Sequence, residues 1–323
     1  MDARITKSRL ANLLSYDWLK IVAAILAVVF LLLVFFTTIK TRARREQIFT
    51  VYVYSTEEDA SGTDPDHTLL NGDDAASFPS RLLEDGVLSY DVLDAEFENF
   101  GTSAYSKTAF TARRMAGQGT VVLISDYISE GKQPEEEGEE VMSALDEAFG
   151  EMGAGLLELE QYFADCEAYL ARFFGEDWRS GTLDEEEARE CFLARNEKDN
   201  RYHLDSQKEA GIEDEKRRLE SLREDYLFVR DVCFGSGVYT MVSLSSEGGE
   251  AGLYAVNIGS LPSLQELVYH NVKSGETYVR SSEDICAVFL VNDEDAGKGA
   301  DVENDLRYEN ISFLRYLYEE YGA

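Results

Sequence analysis

Thr120–Ser125 reads TVVLIS, a run of Val, Leu and Ile without a charge. A continuous apolar run of this length predicts a strand covered on both faces, as in a parallel sheet. Before it, Ser103–Met115 has helical spacing and stops at Gly117 and Gly119, a common helix C-terminal signal. Further upstream, Ile48–Tyr54 (IFTVYVY) is rich in β-branched and aromatic residues and predicts a strand. Val87–Phe97 (VLSYDVLDAEF) alternates in polarity and predicts a second. Strand, helix and strand with short connections make a βαβ unit, so a parallel sheet is expected.

Residues 56–80 are rich in Asp, Gly, Ser and Thr and predict a loop, with a helical turn at Arg81–Glu84. After the apolar strand, Glu135–Glu137, Glu139 and Glu140 head a helix, where carboxylates complement the dipole. Val141, Leu145, Phe149, Met152, Leu156, Leu159, Phe163, Cys166, Leu170 and Phe173 recur every three or four residues. The spacing predicts one helix of about 30 residues with a single buried stripe. Residues 176–225 are charge-dense, with helices over Glu185–Arg195 and Glu213–Tyr226, and read as a surface insertion or hinge. Strands are expected at Tyr226–Phe234 and Val238–Leu244, joined by a hairpin turn at Gly235-Ser236-Gly237, and at Gly252–Ile258. A short helix over Leu261–Tyr269, a buried strand over Ile285–Val291 and a closing helix over Asp305–Tyr321 complete the reading.

The other dominant stretch is Ile21–Ile39, IVAAILAVVFLLLVFFTTI, uncharged and without a polar stripe. As a helix it would reach about 28 Å, the thickness of a bilayer's hydrocarbon core. It ends in KTRARR rather than a small-x-small cleavage site, which favours a retained anchor over a cleaved signal. Basic residues tie at four on each side, so orientation rests on the short N-terminal tail and the long downstream domain: N-terminus cytoplasmic, C-terminal domain extracytoplasmic. KTRARR would then meet anionic lipid or wall polymer at the outer leaflet. Leu10, Leu13, Leu14 and Trp18 predict a short amphipathic helix in the interface. The expected organisation is 1–20 interfacial, 21–39 transmembrane, 40–46 basic flank, 47–134 an α/β lobe, 135–225 the helical insertion or hinge, and 226–323 the second α/β part.

Eight basic and two acidic residues fall in positions 1–45; of 30 Lys and Arg and 63 Asp and Glu, 22 and 61 remain, a formal charge of −39 on 46–323. Such a surface repels nucleic acid and excludes it as a partner. The four cysteines (Cys166, Cys191, Cys233, Cys286) lie far apart in apolar contexts and read as small buried hydrophobes, with one disulfide the minor alternative. His67, His203 and His270 have no second ligand at a recognised spacing, so no metal or cofactor is expected. Two acidic loops, Asp59–Asp74 and Asn292–Asp305, are rich enough in carboxylates for calcium, but in the second Ala296 stands where an EF-hand loop needs a side-chain oxygen, so solvated loops are expected. No nucleophile-and-base constellation stands out, which disfavours a hydrolase.

KTAFTARRMAGQGTVVLISD (107–126) resembles the segment of extracytoplasmic solute-binding proteins in which a helix and turn precede a buried strand ending in Asp. GLYAVNIGSLPSL (252–264), ICAVFLVN (285–292) and ENISFLRYLYEEY (309–321) resemble later elements of that fold. The opening MDARITKSRLANLLSYDWLK with its span is similar to membrane-anchored proteins of clostridial-type bacteria carrying such ectodomains. The resemblance implies a periplasmic-binding-like α/β ectodomain with mixed or mostly parallel sheets, on a single N-terminal transmembrane helix. It also implies non-enzymatic ligand binding in a cleft. Tyr52, Tyr54, Tyr127 and Tyr239, near strand ends, are the candidate lining residues. The alternative is a structural or interaction subunit of a membrane complex, its cleft filled by side chains. The bilayer, and a small solute or a membrane-complex partner, are the expected contacts.

Overall fold

The computed structural model describes residues 18–39, 43–55, 68–100, 105–128, 143–152, 155–197, 199–245, 251–291 and 306–322. The amphipathic segment before Trp18, the Glu135–Glu140 run and the loop 292–305 lie outside these residues, as does most of the first acidic loop. The chain divides into two units, Met1–Ala43 and Arg44–Ala323. The first holds helix α1 (Trp18–Ile39). Among residues whose side chains are described, no helix is long and apolar enough to cross a membrane.

The second unit is α/β. Its main sheet runs β3-β1-β4-β9-β6-β5, with β1 Ile48–Val53, β3 Asp94–Asn99, β4 Val121–Ser125, β5 Thr240–Ser245, β6 Ala251–Asn257 and β9 Ile285–Phe289. β1 pairs in parallel with both β3 and β4, as the βαβ pattern predicts. β9, β6 and β5 then add on antiparallel, so the sheet is mixed. A smaller antiparallel sheet joins β2 (Leu70–Asn71), β7 (Val268–Ser274) and β8 (Thr277–Ser281).

Alternation along the central strands feeds two cores. Phe49, Val51, Val53, Val121, Leu123, Ala287 and Phe289 face one; Tyr52, Tyr54, Val122, Ile124, Cys286 and Val288 face the other. The second core is covered by Phe110 of α3 (Ser106–Met115) and by Leu145, Ala148 and Phe149 of α4 (Ala144–Met152). The first is covered by α2 (Phe78–Glu84), α5 (Leu159–Phe174), α6 (Glu185–Arg195), α7 (Asp205–Phe228) and α8 (Glu309–Tyr321). Strands buried on both faces must be apolar throughout, which is why TVVLIS carries no alternation.

The single long helix expected over the stripe to Phe173 is two helices, α4 and α5. They belong to opposite faces of the sheet, so one straight rod cannot serve both. The chain crosses at Gly155–Leu157: Leu156 bridges Leu290 and packs in one core, while Leu157 donates to the Phe289 carbonyl (3.0 Å) and packs in the other. A Cβ on Gly155 would lie 2.2 Å from Arg114 Nη2 and would displace that guanidinium, which donates to the Gly155 carbonyl at 2.9 Å.

Tyr226–Phe234 is helical rather than a strand. α7 runs to Phe228 and continues as a π-helix over Val229–Phe234. Leu219, Leu222, Tyr226, Val229 and Cys233 are buried at intervals of three and four, so the aromatic-rich run extends an existing helix. Gly235-Ser236-Gly237 therefore ends a helix and is not a hairpin turn: the Gly237 amide donates to the Phe234 carbonyl and the Tyr239 amide to Cys233. Leu261–Tyr269 is a 3-10 turn at Leu264–Glu266 followed by β7. Of Val87–Phe97 only the part from Asp94 is strand; residues 87–93 form a turn that carries Tyr90 and Asp91.

Helices α6 and α7 pack closely enough that a Cβ on Gly211 would meet Phe192 Cζ at 2.3 Å and Tyr202 Cε1 at 2.7 Å. An alanine in a helix interior normally gains about 0.5–1 kcal/mol over glycine. Overpacking costs about 1–3 kcal/mol, so Gly211→Ala is expected to lower stability by about 1 kcal/mol. Urea unfolding reads this directly; a gain in stability would show that the two rings can give way.

Candidate functional site

The four tyrosines do not converge. Tyr52 and Tyr54 are buried against Phe110, at ring distances of 5.9 and 4.6 Å. Tyr239 is buried in the other core between Phe234 and Tyr318, its hydroxyl donating to the Leu314 carbonyl at 2.8 Å. Tyr127 is half-buried beyond β4, its ring 4.8 Å from that of His270. At this strand end the Ser143 hydroxyl donates to Asp126 (2.7 Å), and burial pushes the Asp126 carboxyl up. The described residues contain no grouping of three His, Cys, Asp or Glu able to hold a metal. All four cysteines are buried, with no disulfide among them. Burial raises the Cys166, Cys233 and Cys286 thiols, Cys233 to about 12, which leaves them poor nucleophiles.

The densest chemistry lies in the segment read as a solvated insertion. Glu215 of α7 is 0% exposed and is held between Arg195 (3% exposed) and Arg218 (10%). Arg195 donates from Nη1 and Nη2 to the two carboxylate oxygens at 3.2 and 2.7 Å. Arg218 donates from Nε and Nη2, both at 2.9 Å. The Tyr90 hydroxyl adds a third donor at 2.7 Å. Asp91 pairs with Arg195 (2.7 Å) and Arg201 (3.1 Å), and Asp199 pairs with Arg201 (3.0 Å). Three guanidiniums thus meet three carboxylates. Burial alone would raise the Glu215 carboxyl, but Arg218 and then Arg195 outweigh it and hold the group well below the usual carboxylate range. A carboxylate so fully engaged is a structural counter-ion and no general base.

Tyr90 and Arg218 of this cluster line a cavity of about 190 Å³, together with Ser89, Asp214, Arg217, Ser221 and Glu309 among others. The Arg218 guanidinium uses Nε and Nη2 on Glu215, and Nη2 also donates to the Tyr169 hydroxyl; Nη1 has no hydrogen-bond partner among the described residues. Glu309 opens α8 and is buried, with Oε2 accepting from the Ser89 amide at 2.9 Å. Its Oε1 has no partner among the described residues. Neither open atom is among the buried polar atoms sealed without a partner. Burial pushes the Glu309 carboxyl up, while the Ser89 hydrogen bond and Arg218 pull it back. Arg218 and Glu309 feel each other's charge yet form no ion pair.

The sequence reading missed these residues, though one signal pointed to Glu215. Ile212, Glu215, Leu219, Leu222 and Tyr226 are spaced three and four apart, and the carboxylate occupies an apolar position of that stripe. Arg195 likewise falls seven residues beyond buried Ala188 on α6. Compared with known protein families, with curated proteins and with solved structures, the chain matches none significantly.

Proposed function

We propose that this chain is a single-pass, membrane-tethered extracytoplasmic domain that captures a small polar solute in the cavity between the 86–90 turn, α7 and α8. The observation that carries the capture reading is the pair of open polar atoms, Arg218 Nη1 and Glu309 Oε1, lining one polar cavity. Neither atom is sealed in the core, so water or a polar ligand is the partner open to it. The tether rests on WLKIVAAILAVVFLLLVFFTTI, whose 22 helical residues span about 33 Å. The likeness of 107–126 and the later segments to solute-binding proteins agrees with capture, with the cavity inside one compact unit and not between two lobes.

The reading predicts that full-length protein stays with membranes after alkaline carbonate washing, and that protease added to intact cells digests the domain. In detergent, a subset of small polar solutes is expected to raise the melting temperature. Release by carbonate sinks the tether, and silence across a broad solute panel sinks capture. One observation favours an interaction subunit instead: β8 ends the smaller sheet with Tyr278 (51% exposed) and Val279 (47%) uncovered, an edge that could accept a partner's strand.

A further inference from the structure

We infer that the solute is a zwitterion of the α-amino-acid class, its carboxylate on Arg218 Nη1 and its ammonium on Glu309 Oε1. This rests on the capture reading and names its substrate. Arg217 and Asp214 in the lining pair with each other, which leaves the cavity one cationic donor and one anionic acceptor, each anchored through its other polar atoms: Arg218 by Glu215 and Tyr169, Glu309 by the Ser89 amide. Both side chains are nine-tenths buried, so their geometry is set before any ligand arrives. The two groups line one cavity and form no ion pair with each other, so a molecule carrying both opposite charges would bridge them.

Net charge decides among ligand classes. A domain at −39 repels phosphate and dicarboxylates at long range, and either would place negative charge beside Glu309. A simple cation would satisfy Glu309 and be repelled by Arg218, Arg217 being paired with Asp214. A neutral sugar fits sterically but leaves both charges without a counter-charge. A zwitterion has no net charge to be repelled and meets both groups.

Isothermal titration of the detergent-solubilised full chain tests this with glycine, L-alanine, L-serine and L-glutamine. The controls are N-acetyl-L-alanine, which lacks the ammonium, L-alaninamide, which lacks the carboxylate, and succinate, inorganic phosphate and glucose. At least one free amino acid is expected to bind, with each blocked analogue at least tenfold weaker. Glu309→Gln keeps an acceptor for the Ser89 amide and removes the charge; binding is expected to fall more than tenfold. Arg218 supports the buried cluster, so its variant could fail to fold. Ser221→Phe, at an exposed position on the cavity rim, fills the space instead and is expected to abolish binding with the fold intact by circular dichroism.

Binding of succinate, phosphate or glucose with none of any amino acid overturns the zwitterion and leaves capture standing. Amino-acid binding untouched by Glu309→Gln and Ser221→Phe overturns the assigned site alone. No binding by any solute means the cavity holds only water, and both readings fall.

Discussion

Glu215→Gln is expected to cost the fold about 3–5 kcal/mol, because it leaves Arg195 and Arg218 buried without their counter-charge. Exposed pairs on these and the neighbouring helix, such as Arg172–Glu187 or Arg189–Glu209, contribute only about 0–1 kcal/mol, so the contrast between sites is diagnostic. The effect has a pH signature. The Glu215 carboxyl titrates lower in the folded chain than its ordinary 4.5, so its stabilisation is complete above that value. It is lost as pH falls below 4.5 toward the folded-state value. Thermal melts between pH 7 and pH 3 should therefore show a steep acid limb in the wild type. The limb should be shallower for Glu215→Gln, which starts from a much lower melting temperature at pH 7. A loss under 1 kcal/mol at pH 7 would mean that water reaches the pair and the cluster is not a buried one.

Tyr239→Ala is the second large effect, at about 3–5 kcal/mol, the range for deleting a buried aromatic. Its ring is 1% exposed and packed between Phe234 and Tyr318. Tyr239→Phe keeps the ring and loses the bond to the Leu314 carbonyl, for about 1 kcal/mol. Urea unfolding should move both midpoints to lower denaturant with an unchanged slope, the alanine variant several times further. A fully stable Tyr239→Ala protein would return this residue to the list of ligand-facing groups. Large losses would make it a core residue near a strand end, a position that sequence alone cannot tell from a pocket wall.

The pairing of β1 with β3 and β4 was legible because local signals agreed: an apolar strand, a helix closed by glycines and a short connection. The closing helix α8 was legible from its stripe of Tyr308, Ile311, Leu314, Leu317 and Tyr321. Elsewhere periodicity told which residues are covered but not what covers them. The stripe from Val141 to Phe173 is continuous in sequence, yet its halves serve opposite cores, a switch visible locally only as the glycines at 150, 153 and 155. The run 226–234 suits a strand by composition and becomes helix because α7 already leads into it.

By itself the sequence determined a long uncharged helix-forming segment, a strongly acidic α/β domain and the parallel heart of its sheet. Each follows from the order of residues within a few turns of chain. Only the tertiary structure decided that charge-dense residues 185–218 are partly core. Tyr90 reaches Glu215 across 125 positions, and Glu309 reaches Ser89 across 220. Desolvation and charge pairing over such separations depend on which surfaces meet, and no local pattern encodes that.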